Sequence, residues 1–216
     1  MYNWTEGFDT LCTLPNGKTY ASKGNMYIRW SDPNADIVDE GYPRPIQGNW
    51  DQLPFPFDEG FDCMVVLPNQ KTYIFKGDQY IRYSDPDANI IDEGYPRPIA
   101  GYWGQLPDTF NQKIDAGSML PNGASYLTSG AEYVRYSDDY AEVVDPSYPH
   151  PLNGPGRWGD LPPSFQGGFD SVATLPNGKT YVTKGSEYIR YSDANGTVID
   201  PGYPRPIAGY WGVDNL

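Results

Sequence analysis

Tyr80-Ile81-Arg82-Tyr83-Ser84-Asp85 reads as a short strand running into the turn that ends it, and the chain repeats it four times. The other copies begin Tyr27-Ile28-Arg29, Tyr133-Val134-Arg135 and Tyr188-Ile189-Arg190, at successive separations of 53, 53 and 55 residues, and run on to Asp32, Asp138 and Asp193. Trp30 takes the place of the second Tyr in the first copy. Working outward, Gly-Tyr-Pro-Arg-Pro-Ile occurs at 41–46, 94–99 and 202–207, with Ser147-Tyr148-Pro149-His150-Pro151-Leu152 as its third copy. Trp50, Trp103, Trp158 and Trp211 close the four units. A repeat of this length and internal order marks an array of supersecondary units.

Within one unit the pattern is β. Asp62 to Leu67 reads as a strand, Pro68-Asn69 as a turn, and Lys71 to Phe75 as a second strand. The other copies carry Pro-Asn-Gly at that turn, a hairpin signal because Asn and Gly tolerate positive φ. Lys76-Gly77-Asp78 turns the chain into Gln79 to Ser84, where alternate residues point to opposite faces. A fourth short stretch is expected through Ile90 and Ile91, with the following Pro ending pairing because it has no N–H. Four such units predict an all-β, pseudo-fourfold, four-bladed β-propeller, one domain over 1–216 with blades near 5–53, 54–106, 107–161 and 162–216. Packed around an axis, the blades shield each other's faces and leave only short edges. Phe57, Phe110 and Phe165 each stand five residues before Asp62, Asp115 and Asp170, and Trp4 stands five before Asp9. Trp4 is therefore expected beside the end of the fourth blade, near Trp211, closing the ring by an apolar contact worth about 2–3 kcal/mol.

Composition agrees: 24 Gly and 22 Pro among 216 residues favour turns and short strands, and 19 Tyr, 6 Trp and 8 Phe supply a core. No apolar run of about 18 residues exists, so no membrane insertion is expected. The N-terminus has no basic start and no apolar stretch, so a cytoplasmic protein is expected, or a secreted one if the first Met replaces a removed signal peptide. Asn3 and Asn195 open sequons that matter only in the secreted case. The net charge of −13 disfavours nucleic acid, since no Lys/Arg cluster offsets it, and favours cationic partners or plain solubility.

The order Phe-Asp, Lys-Thr-Tyr, Lys-Gly-x-x-Tyr-x-Arg, Asp-x-Gly-Tyr-Pro-Arg-Pro-Ile and Trp-Gly-x-Leu-Pro resembles hemopexin repeats over nearly the whole chain. Single-propeller seed albumins and microbial and fungal proteins share that pattern. The resemblance implies an axial channel holding Ca²⁺ or Na⁺, bound mainly by backbone carbonyls at Asp9, Asp62, Asp115 and Asp170. Leu11, Met64, Gly117 and Val172 would then offer backbone groups to a second ion or water. Inner strands that aim carbonyls at one axis give the physical reason; the alternative is that the four Asp only cap strand starts. Cys12 and Cys63 do not match the cysteine pair that locks the ring in animal relatives, and they share strand parity. Two free, buried thiols are expected, with closure lacking a disulfide.

The third copy is the odd one. His150, the only histidine, stands where the others have Arg44, Arg97 and Arg205, beside an expanded loop that runs to Arg157 and Trp158. His150, Arg157 and Trp158 are candidate ligand-binding residues, for haem or metal; drift at a loop position is the plainer reading of His150. Acidic turns such as Asp85-x-Asp87-x-Asn89 begin like calcium loops but lack the Gly and Glu that such loops need, so Asx-type turns are the expectation. Arg29, Arg82, Arg135 and Arg190 are expected to pair with nearby carboxylates, and the Tyr-Pro-Arg-Pro segments and the Trp set to wedge blades rather than to serve as sugar platforms.

No Ser-His-Asp set, Cys–His pair, HExxH, Gly-rich phosphate loop or CxxC is present, and no enzyme is expected. The expectation is a non-catalytic binding protein, monomer or homodimer, with an axial cation and a small ligand such as haem or a polyamine. The alternatives are a lectin with one glycan site per blade, weakest in blade three, and a storage or protein-docking scaffold.

Overall fold

The computed structural model describes residues 2–154 and 158–216. Four antiparallel sheets follow one another along the chain, each a meander of four strands in sequence order. The first holds β1 (Thr10–Thr13), β2 (Thr19–Lys23), β3 (Met26–Trp30) and β4 (Arg44–Pro45). The second holds β5 (Cys63–Val66), β6 (Thr72–Lys76), β7 (Gln79–Tyr83) and β8 (Arg97–Pro98). The third holds β9 (Ala116–Met119), β10 (Ser125–Ser129), β11 (Glu132–Tyr136) and β12 (His150–Pro151). The fourth holds β13 (Ser171–Thr174), β14 (Thr180–Lys184), β15 (Glu187–Tyr191) and β16 (Arg205–Pro206).

The first strand of each sheet lies innermost. β1 contacts β5 and β13, and β9 contacts β5 and β13, so the four close a ring around one axis. This is the four-bladed propeller that the repeat predicts. A short 3-10 turn precedes each sheet, at Trp4–Glu6, Phe57–Glu59, Asp108–Phe110 and Pro163–Phe165. Their aromatics Trp4, Phe57, Phe110 and Phe165 are at most 2% exposed.

The outermost strand corrects one expectation. Ile90 is 71% exposed and Ile91 makes only an isolated bridge to Tyr83. The fourth strand falls instead on the Arg-Pro of Tyr-Pro-Arg-Pro, where Arg97 pairs with Tyr80 and Pro98 with Gln79. Proline is tolerated there because an edge strand's outward side needs no donor.

Between each pair of sheets lies one apolar core built on a closing tryptophan. Trp50 meets Phe61 at 5.4 Å, Trp158 meets Phe169 at 5.2 Å and Trp211 meets Phe8 at 5.5 Å, while Trp103 shares its core with Ile114, Leu127 and Val134 of the next unit. The expected role of this set as wedges holds. Trp4 shares the fourth of these cores with Phe8, Trp30 and Trp211, and the Trp30 indole N–H donates to the Trp211 carbonyl at 3.0 Å. The same seam carries a polar stitch that recurs between all sheets. The backbone N–H of Asn16, Asn69, Asn122 and Asn177 donates to Pro86, Asp139, Ala194 and Pro33 of the next sheet, the last bond joining the fourth sheet to the first. Cys12 and Cys63 are buried and free, and no disulfide closes the ring. Burial pushes the Cys12 thiol up to about 12, so it stays protonated and unreactive.

Candidate functional site

An antiparallel ladder alternates hydrogen-bonded and non-bonded pairs, and that alternation decides what the axis is lined with. The Leu14 N–H donates to the Lys18 carbonyl at 2.9 Å, which makes Leu14–Lys18, and by register Cys12–Tyr20 and Thr10–Ser22, the bonded pairs of β1 and β2. The peptide groups of Leu11 are therefore turned away from β2, toward the axis. Leu67–Lys71, Leu120–Ala124 and Leu175–Lys179 set the same phase in the other sheets, which turns the peptides of Met64, Gly117 and Val172 inward as well. The side chains of Leu11, Met64 and Val172 go into the cores between sheets. Gly117 has none, and a Cβ there would lie 2.6 Å from the Leu127 Cδ2, which would have to shift.

At one end of this channel the four aspartates share a polar cavity of about 360 Å³, lined by Asp9, Asp62, Asp115 and Asp170 with Glu59, Lys76, Lys113 and Lys184. One oxygen of each aspartate is already used. Asp9 accepts from the Gly24 N–H at 2.6 Å, and Asp62, Asp115 and Asp170 accept from Gly77, Gly130 and Gly185 at 2.7 Å. Each therefore caps the hairpin between the second and third strands of its sheet. The second oxygens of Asp62, Asp115 and Asp170 meet Lys76 at 3.4 Å, Lys113 at 2.9 Å and Lys184 at 2.7 Å. Asp9 has no such partner among the described residues, because Lys23 donates to the Gly7 carbonyl instead. Among the four aspartates the mouth thus holds three ion pairs and one carboxylate without a lysine, that of Asp9, with Glu59 at its rim.

The opposite mouth, about 330 Å³, is mostly apolar, with Leu14, Val66, Met119 and Leu120 in its wall. On the rim, clefts between neighbouring sheets repeat one set of residues. The cleft between the first and second sheets is lined by Tyr20, Tyr27, Arg29, Tyr42, Arg44 and Trp50 with Asp87 and Asn89 from the next sheet. Between the fourth and first sheets the counterparts are Tyr181, Tyr188, Arg190, Tyr203, Arg205 and Trp211. In each, two guanidiniums lie over one tyrosine, Arg29 and Arg44 at 5.0 and 4.6 Å from Tyr42, and Arg190 and Arg205 at 5.1 and 4.7 Å from Tyr203.

His150 lies on β12, opposite Tyr133 in the ladder, with its ring 4.5 Å from Tyr148 and 6.2 Å from Tyr133. Trp158 is 4% exposed and lines the cleft between the third and fourth sheets with Tyr133 and Arg135. The two share Tyr133 as a neighbour, while Arg157 lies outside the described residues. The acidic turns are Asx-type as expected. Asp85 accepts from the backbone N–H groups of Asp87, Asn89 and Ile90, and the other three copies do the same. Sequence reasoning weighed the Tyr-Pro-Arg-Pro and Trp residues as a sugar platform without the clefts that they line, and it missed the lysines of the aspartate mouth. The exchange of Lys for Ser129 between aligned copies was the available signal for the second.

The family model described as Hemopexin matches residues 61–108 and 169–214. Vitronectin of Sus scrofa is 36% identical over 114 residues, 53% of this chain and 22% of that protein, so the match spans about a fifth of the relative's length. A hemopexin-fold protein from cow pea superposes with a TM-score of 0.78 at 22% identity, covering 95% of this chain and 96% of that one. A plant lectin with two metal binding sites from Cicer arietinum gives 0.76 at 20% identity, covering 95% of each chain. At these identities the structural likeness is one of fold.

Proposed function

The chain is a hemopexin-repeat propeller, and from that premise we propose that it is a non-catalytic binding module that seats a cation on its axis and takes a polyamine at the aspartate mouth. The observation that carries this reading is the pairing of inward-turned peptide groups with a mouth in which the Asp9 carboxylate has no lysine partner. Carbonyl oxygens of Leu11, Met64, Gly117 and Val172 suit a hard cation such as Ca²⁺ or Na⁺, which prefers several oxygen ligands and tolerates irregular geometry. At the mouth, the Asp9 carboxylate matches one ammonium group of a polyamine, and the overall charge of −13 attracts such a ligand from a distance. His150, the only imidazole, lines neither mouth, so haem bound at either would need another ligand.

Calorimetric titration with spermine at low salt is expected to give saturable binding that Asp9→Asn weakens about tenfold, as loss of one close charge pair does. No heat with spermine, or unchanged affinity in the variant, overturns the polyamine reading. A Soret titration with hemin run in parallel decides between the two small ligands.

The repeated rim clefts favour a second reading, a lectin with a glycan site per blade. A protein of the same fold carries the description of a plant lectin. Tyrosine faces in these clefts are already covered by guanidiniums, which leaves less aromatic surface for a sugar ring and ranks this reading second. Glycan-array binding with blank spermine and hemin titrations would reverse the order.

A further inference from the structure

The third sheet departs from the others at two positions that bear on one mouth. Two residues before the channel aspartate the other copies carry Gly7, Gly60 and Gly168, all at left-handed φ, 121°, 134° and 137°. A Cβ at these glycines would lie 2.5, 2.5 and 2.9 Å from the carbonyl oxygens of Gly185, Gly24 and Gly130 on the preceding sheet, so no side chain fits there. The third copy has Lys113 at this position. Fourteen residues after the aspartate, the others carry Lys23, Lys76 and Lys184, and the third carries Ser129, whose hydroxyl donates to the Thr109 carbonyl. The blade has kept one ammonium and moved it from the hairpin to the seam with the second sheet.

The move changes what the ammonium faces. Lys76 and Lys184 reach the aspartate of their own sheet from beside the hairpin. Lys113 binds Asp115 at 2.9 Å from within the wall of the mouth, and the fields of Asp62 and Asp170 reach it from the sheets on either side. Burial works against its charge, but the bond to Asp115 and those three carboxylates outweigh it and push its pKa up. Its side chain is 53% exposed, so a ligand can reach it and compete for Asp115.

We propose that Lys113 is a tethered ammonium standing where a ligand's ammonium would sit at the four-aspartate mouth, and that it sets how tightly the mouth takes a cationic ligand. This rests on the mouth being a cation site, as argued above. The lysine lowers affinity by competing for Asp115 and by repelling an incoming charge, and it spares the mouth from facing its four aspartates with Lys76 and Lys184 alone when no ligand is present.

The test compares three full-length proteins by spermine calorimetry at low ionic strength: the wild type, Lys113→Gln, and Lys113→Gln combined with Ser129→Lys. The double variant restores both the net charge and the lysine position of the other copies. Lys113→Gln is expected to bind about tenfold more tightly than wild type, and the double variant to stay at least fivefold tighter. Thermal melts establish that each variant is folded, and Lys113→Met replaces the glutamine variant if that one is not. Wild-type affinity in Lys113→Gln overturns the lysine's role while leaving the mouth a cation site. A return to wild-type affinity in the double variant also overturns it, by showing that net charge alone was at work. Absence of spermine binding in all three proteins removes the mouth as a cation site and the proposal with it, whereas binding in the variants alone supports the lysine as a complete plug.

Discussion

Arg82 reaches Asp92, and Arg29, Arg135 and Arg190 reach Asp39, Asp145 and Asp200 in the same way, tying each third strand to the loop that follows it. Each of these carboxylates also accepts a serine hydroxyl and a serine N–H, as Asp92 does from Ser84. Partial burial raises the carboxyl pKa of Asp92, but the Ser84 hydroxyl and the Arg82 guanidinium outweigh it and hold it below the ordinary 3.8. Asp39 and Asp200 are lowered by the same balance. A carboxyl depressed in the folded state adds stability that is complete above its unfolded pKa and is lost as pH falls through the folded one. Stability is therefore expected to decline below about pH 4 as these sites protonate. Asp92→Asn should cost about 1–2 kcal/mol at neutral pH and flatten that decline, read from urea unfolding at several pH values. An acid profile identical to wild type contradicts the assignment.

The 3-10 turns and the outer strands are the elements that the sequence alone exposes unevenly. Trp4 was legible as a wedge because it keeps the spacing of Phe57, Phe110 and Phe165 to the aspartate of its unit. Its burial against Phe8, in the seam with Trp211, makes the N-terminal turn part of the fourth interface. Trp4→Ala is expected to cost about 3–5 kcal/mol, seen as a lower denaturant midpoint with an unchanged slope. A loss under about 1 kcal/mol would place closure elsewhere, in the Asn177–Pro33 stitch. The fourth strand was misread because local pattern favoured Ile90-Ile91 over a segment with two prolines. Edge position, a tertiary property, decided otherwise. The aspartate ring was legible by register. Its lysine partners were not, because Lys113 and Lys76 reach the mouth from different elements, and only the closed ring brings them together.

At the scale of the whole molecule, four copies of one meander leave an axis that no single copy contains. The inward peptides of Leu11, Met64, Gly117 and Val172 belong to four strands far apart in sequence, and what they do depends on closure. The blades are near-equivalent in backbone and unequal in where the ammonium stands, since three carry the hairpin lysine and one carries Lys113. Function in this reading sits on the axis and on that inequality, while the tryptophan wedges and Asx turns hold the ring. The most direct measurement is an anomalous difference map from crystals grown with Ca²⁺ and soaked in Tb³⁺. The account predicts one peak on the axis, about 2.3–2.6 Å from carbonyl oxygens of Leu11, Met64, Gly117 and Val172. Peaks confined to the exposed turns at Asp32, Asp85, Asp138 and Asp193, with none on the axis, would contradict it.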